Sequence, residues 1–219
     1  MNARALLASL LEAYGSQDWW PADSAFEVMV GAVLVQRTTW RNAAVAIDNL
    51  RTRELLSSGA ICEARHETLE ALIRPAGFFR VKLRRLLALA RFVEENGGTE
   101  GLAALSAGSL RHKLVRVHGV GEETADAILL YAFDHPVWVS DAYSRRILQR
   151  LDPSINEPAA ERRFVERLID DGRSKALAEL HALLDEHGKR RCRRTPECVG
   201  CPLVIECSFP KGELNARVP

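Results

Sequence analysis

Two groups of residues in this chain have the types and spacing to do chemistry. The sequence Cys192-x5-Cys198-x2-Cys201-x5-Cys207 gathers four of the five cysteines within 16 residues. Four thiolates on one short loop suit a [4Fe–4S] cluster or a structural zinc ion, and spacing alone leaves both open. A secreted disulfide framework is a poorer reading of so tight a group. The stretch from His118 to Arg146 opens with Gly119-Val120-Gly121, a turn too tight for side chains. Two glycines let backbone N–H groups approach a phosphate closely, because no Cβ intervenes and a helix N-terminus points at the anion. Asp141 follows twenty residues after Gly121, at the head of a helical pattern. That spacing is able to return its carboxylate to the neighbourhood of the turn.

The elements that must position these groups read almost entirely as helix. Leu110–Val117 and Glu122–Phe133 flank the glycine turn, the second with Ala125, Ile128, Leu129, Ala132 and Phe133 on its apolar face. Helix, turn and helix make a helix-hairpin-helix over about 110–133. Ala5–Ala13 carries Leu6, Leu7, Leu10 and Leu11 on one stripe. Ser24 with Glu27 has capping-box spacing ahead of Ala25–Gln36, which is apolar nearly all round and therefore a buried central helix. Further helices are expected at Arg41–Leu50, at Val81–Glu95 (stopped by Asn96-Gly97-Gly98), from Asp141 to about Leu151, at Ala159–Ile169 and at Ser174–Asp185. Periodicity thus predicts an all-α fold.

Composition sets the bounds. The 219 residues are 47% hydrophobic and 27% charged, ordinary for a globular chain with a real core. A net charge of +1 neither demands nor excludes a nucleic-acid partner, since a basic face is easily balanced elsewhere. No apolar run approaches a membrane span, and the first fifteen residues read as an amphipathic helix rather than a signal peptide. An intracellular location is expected. Cys62 stands alone in sequence and reads as a packed or surface thiol.

Hairpin, Asp141 and four-cysteine tail in this order resemble the helix-hairpin-helix-Gly/Pro/Asp DNA glycosylases, the endonuclease III superfamily, over nearly the whole chain. The segments Asp18-Trp19-Trp20-Pro21, GVGEETADAILLYA and VSDAYS look closest to the 3-methyladenine DNA glycosylase III branch. The resemblance implies two helical domains flanking a DNA-binding cleft. One spans 23–133; the other joins 1–22 to 134–219 and carries the cluster loop 192–207. It also implies a monofunctional base excision enzyme acting on double-stranded DNA with a damaged base. Endonuclease III has an attacking lysine two residues after the second glycine, where this chain has Glu123, and a carboxylate cannot form a Schiff base.

Residue by residue, the resemblance makes Asp141 the catalytic carboxylate, stabilising an oxocarbenium-like sugar and orienting water. A helix N-cap is the simpler role for Asp141, and the two are compatible. Trp19, Trp20, Pro21 and Trp40 are expected to form the base pocket, since aromatic faces stack on a flipped base and attract the charge of a methylated purine. Core packing is the alternative for any single tryptophan. Gln36 and Phe78 fall where the family fills the gap left by the flipped base. Gly119, Gly121 and Thr124, with Arg190 and Arg191 beside the cysteines, are expected to meet phosphates. Cys192, Cys198, Cys201 and Cys207 are expected to hold a [4Fe–4S] cluster, with Zn as alternative. The first gap is one residue shorter than the endonuclease III loop. No further His or Glu stands beside Asp141 in sequence, which suits a cationic leaving group that needs no general acid. A monomer is expected, because such a cleft needs no second subunit. Rival readings are a mismatch glycosylase and a non-catalytic DNA-binding protein; Asp141 argues against the latter.

Overall fold

The computed structural model describes residues 1–170 and 174–209. Residues 171–173 and 210–219 of the expected second domain lie outside the described residues. Among the described residues there is no strand. The helices run α1 (Ala3–Tyr14), α2 (Ala25–Leu34), α3 (Trp40–Thr52), α4 (Ser58–Glu63), α5 (His66–Ile73), α6 (Phe79–Glu95), α7 (Gly98–Ala103), α8 (Ala107–Leu114), α9 (Glu122–Phe133), α10 (Ala142–Leu151), α11 (Pro158–Asp170) and α12 (Ser174–Arg190). A 3-10 turn, Arg74–Ala76, joins α5 to the approach of α6. The chain forms two compact units, Trp20–His135 and Met1–Trp19 with Pro136–Pro219.

In the first unit α2 is the central element, with every residue from Phe26 to Leu34 buried. It packs against α9, α3 and α6. Ser24 caps it by accepting from Glu27 N–H at 3.2 Å. Buried Glu27 then pairs with Arg51 of α3, so its charge is neutralised where α2 enters the core. The helix stops at Leu34, two residues before its expected end at Gln36. Lys82 of α6 is the physical reason: its side chain is 1% exposed, and Nζ donates to Leu34 O at 2.8 Å and Ala76 O at 2.7 Å. A cation thereby closes the carbonyl end of α2. Gln36 consequently sits in a turn and not in the helix where it was expected.

Helices α8 and α9 form the hairpin. Arg111 clamps Asp126 with both edges of its guanidinium, Nε to Oδ1 at 2.6 Å and Nη2 to Oδ2 at 3.0 Å. This bond chiefly holds the Arg111 proton more tightly than usual. Val120, 4% exposed, pins the turn to the core.

In the second unit α12 packs against α1, α10 and α11 around Leu6, Leu10, Ile147, Leu148, Leu177, Leu180 and Leu184. It runs to Arg190, five residues beyond its expected end. Gly188 lies inside this helix because Tyr143 of α10 packs there; a Cβ would stand 2.4 Å from the Tyr143 ring. Trp138, 2% exposed, donates from Nε1 to buried Glu161 of α11 at 2.9 Å.

Candidate active site

Within the unit Trp20–His135, Gln36 gathers the hairpin. Its Nε2 donates to Gly119 O at 3.0 Å and to Thr124 Oγ1 at 3.1 Å. Its Oε1 accepts from Arg85 of α6. Three residues expected to meet DNA are thus one hydrogen-bonded group, and Arg85 completes it. Gly119 has φ +86°, which only glycine adopts readily, whereas Gly121 is extended, with open space where a Cβ would be. Glu122 and Glu123 occupy the exposed first turn of α9.

Phe78 precedes α6 in a left-handed conformation, φ 46° and ψ 31°, and is 64% exposed. The Arg37 guanidinium lies 5.9 Å from its ring centre. An exposed phenylalanine in that conformation is strained by about 1 kcal/mol or more. Phe79, its neighbour, is half-buried between Arg74 and Arg80.

Trp20 and Trp40 meet edge to face at 5.1 Å, and Tyr131 of α9 lies 5.3 Å from Trp20. Gly31 makes room for this group, since a Cβ there would stand 3.0 Å from Trp20 Cζ2. Pro21 and Trp40 line one surface pocket with Glu27, Asp48 and Arg51. Trp19 belongs to the other unit. Tyr131 went unread in the sequence; its signal was an aromatic residue on the less buried side of an amphipathic helix.

In the second unit Asp141 is the N-cap of α10. Its Oδ1 accepts from Ser144 N–H at 2.7 Å, and Ser144 Oγ accepts from Asp141 N–H at 2.9 Å. This reciprocal capping box occupies one carboxylate oxygen and turns Oδ2 toward His181 Nε2, 3.8 Å away. Both side chains are mostly buried. His181 comes from α12, forty residues on in the chain, so no local spacing announces it. Its ring stands edge-on to Trp138, at 6.4 Å and 86°. One turn further on, Asp185 pairs with Lys189. Burial pushes the Asp185 carboxyl up, Lys189 opposes this, and the nearby Asp141 charge adds to it.

The four cysteines of the tail, Cys192, Cys198, Cys201 and Cys207, line one cavity with Ile147, Leu151, Leu203, Val204 and Phe209. Arg150 Nη1 donates to Cys192 Sγ at 3.2 Å and braces the loop through Arg193 O and Arg194 O. Backbone N–H groups of Leu203 and Phe209 reach the Cys201 and Cys207 sulfurs, though burial pushes both thiols up. His187 bonds Tyr14 Oη through Nδ1 at 2.7 Å and faces Cys201 Sγ through Nε2 at 3.8 Å. Burial, helped by Arg191, holds this imidazole down at about 4. Among the described residues no three His, Cys, Asp or Glu side chains are grouped as ligands of a single metal ion. Arg191 donates to Val199 O at 2.9 Å within the loop, and Arg190 pairs with Glu186.

Residues 30–170 match the HhH-GPD superfamily of base excision DNA repair proteins. A candidate DNA repair glycosylase of Methanocaldococcus jannaschii is 43% identical over 204 residues, covering 90% of this chain and 92% of its own. Endonuclease III of Thermotoga maritima is 28% identical over 88% of each chain. Among solved structures, H. pylori 3-methyladenine DNA glycosylase bound to 1,N6-ethenoadenine matches with TM-score 0.75 and 24% identity, over 87% of this chain and 98% of that one. An endonuclease III–DNA complex matches with TM-score 0.73 and 21% identity, over 97% and 96%. The chain belongs to the HhH-GPD superfamily of base excision DNA repair proteins.

Proposed function

We propose that this DNA glycosylase is monofunctional and releases cationic, alkylated purines from double-stranded DNA by hydrolysis. The observation that carries the reading is the aromatic group Trp20, Trp40 and Tyr131, half-buried and mutually edge-on or tilted. Such faces attract a positively charged base by about 1–2 kcal/mol per well-placed ring. An alkylated purine leaves readily, so recognition by stacking together with one carboxylate is sufficient chemistry. Asp141 supplies the carboxylate through Oδ2, stabilising positive charge on the sugar as the base departs. Glu123 removes the hairpin amine that lyase chemistry would use, and Lys82 is buried against two carbonyls and unfit to replace it.

Gly119, Gly121 and Thr124 bring the hairpin to a phosphate, Arg190 and Arg191 add cations, and Phe78 with Gln36 fills the space of the flipped base. Four thiols round a largely apolar cavity, with N–H groups directed at sulfur, fit a [4Fe–4S] cluster held by Cys192, Cys198, Cys201 and Cys207. Bound there, the cluster would order the loop that follows Arg190 and carries Arg191 and Arg193. Iron, sulfide and zinc analysis of purified protein decides the metal: four irons and four sulfides per chain support the cluster, and one zinc overturns it.

The test of function is base release from three duplexes, bearing a methylated purine, an oxidised pyrimidine or a mismatch. Each is assayed for strand cutting with and without hot alkali. Methylpurine release with cutting only after alkali is expected. Cutting without alkali would overturn the monofunctional reading and direct attention to Lys189, which is paired with Asp185 near Asp141. Release from the mismatch alone would overturn the alkylbase reading. Asp141→Asn keeps a capping residue at the head of α10 and is expected to lose release while still binding DNA.

A further inference from the structure

We infer that His181 is a second catalytic group, which together with Asp141 seats the attacking water and accepts its proton. The inference rests on Asp141 being the catalytic carboxylate. Nε2 of His181 and Oδ2 of Asp141 are 3.8 Å apart. That is too long for a direct hydrogen bond. It is the right base for a triangle whose apex, a water oxygen, lies roughly 2.8 Å from each. Oδ1 is already committed to Ser144 N–H, so the capping box fixes which oxygen faces the imidazole.

The ring is held in place from behind. Trp138 stands edge-on to it, and Trp138 is itself anchored by its bond to fully buried Glu161. A chain of two buried side chains spent on the orientation of one imidazole is more than packing requires. Asp141, the cap of α10, and Asp185 on α12 carry charge beside the ring; the same elements carry Arg145 on α10 and Lys189 on α12, and α11 carries Glu161 behind Trp138. Arg145 Nε lies 3.9 Å from Glu161, and Lys189 pairs with Asp185. Each of those carboxylates has a cation near it, and Asp141 Oδ2 faces the imidazole.

The step balances. The C1′–N bond breaks and its electron pair leaves with the base, which departs neutral if it was cationic. The water oxygen bonds to C1′, and one water proton passes to Nε2. Asp141 carries the compensating negative charge throughout, and the imidazolium later releases its proton to solvent. Neutral imidazole is the form that accepts the proton.

The test uses the full chain, a methylpurine-bearing duplex and single-turnover kinetics across pH. His181→Phe keeps the contact with Trp138, and His181→Gln keeps hydrogen bonding without proton uptake. Both are expected to bind the duplex normally and to slow release by about 10²-fold or more. His181→Gln should be the faster of the two and should differ from the wild type in its pH profile. Wild-type rates and an unchanged profile in His181→Gln overturn the inference. If His181→Phe unfolds, the profile of His181→Gln decides alone. Asp141→Asn separates the two claims. If it is inactive while His181→Gln is unaffected, only His181 loses its role; if it is active, the reading of Asp141 fails first.

Discussion

The side chain of Arg85 lies across Gly119, so that a Cβ on that glycine would stand 2.2 Å from Arg85 Cγ and 2.5 Å from Cδ. The two glycines of the hairpin therefore do different work. Gly119→Ala meets both a positive φ and this side chain, and is expected to destabilise the chain by about 2 kcal/mol or more. Gly121→Ala meets neither and is expected to leave thermal unfolding unchanged. If the hairpin receives a phosphate, the Gly121 methyl intrudes there instead, and a DNA-binding titration should show weaker affinity at unaltered stability.

The Arg111–Asp126 clamp joins the two hairpin helices with an acid that is only 4% exposed. Arg111→Met leaves that carboxylate buried without its partner and is expected to lower stability by roughly 3 kcal/mol. Urea unfolding of Arg111→Met beside the double variant with Asp126→Leu checks this. The second change should recover most of the loss, because both members of the pair are then gone.

Stability should rise with alkaline pH. Burial, with a smaller contribution from Arg85, lowers the Lys82 ammonium to about 8 from an ordinary 10.5. Between these values the unfolded chain holds a proton that the folded chain does not, so unfolding becomes harder as pH increases through the window. The full effect is on the order of 3 kcal/mol. Denaturant midpoints from pH 7.5 to 10.5 should increase in the wild type, and Lys82→Met should remove this component.

Phe78 opposes stability to function. Phe78→Gly relieves a left-handed backbone without uncovering any core, and is expected to stabilise the chain by up to about 1 kcal/mol. If the ring props the duplex, the same variant should release base from duplex at least tenfold more slowly, with a smaller defect on single strands. Melting and release measured on one preparation decide both halves.

Much of this was legible in the sequence because it is local. The glycine turn, the cap at Asp141, the all-round apolarity of α2 and the cysteine spacing each announce themselves within 16 residues or fewer. What escaped depends on partners far along the chain. The end of α2 is set by Lys82, 48 residues after Leu34. The environment of Asp141 is set by His181, and the third aromatic face by Tyr131 on another helix. Gly188 marks a place where Tyr143, 45 residues earlier, needs room inside a helix. Arg190 and Arg191, expected to meet phosphates, have partners of their own, Glu186 within α12 and Val199 O in the loop.

Tyr14, the last residue of α1, bonds to His187 beside Cys201, a partner 173 residues away. The unit that holds Asp141 is thus assembled from the two ends of the described chain, while Trp20–His135 is one continuous stretch. During synthesis the continuous unit has all its residues once His135 has emerged. Helix α1 waits, its leucine stripe uncovered, until α12 has been made. Contacts of such long sequence separation form slowly. The unit bearing the carboxylate is therefore expected to close only after the continuous one, which delays activity until α12 has left the ribosome.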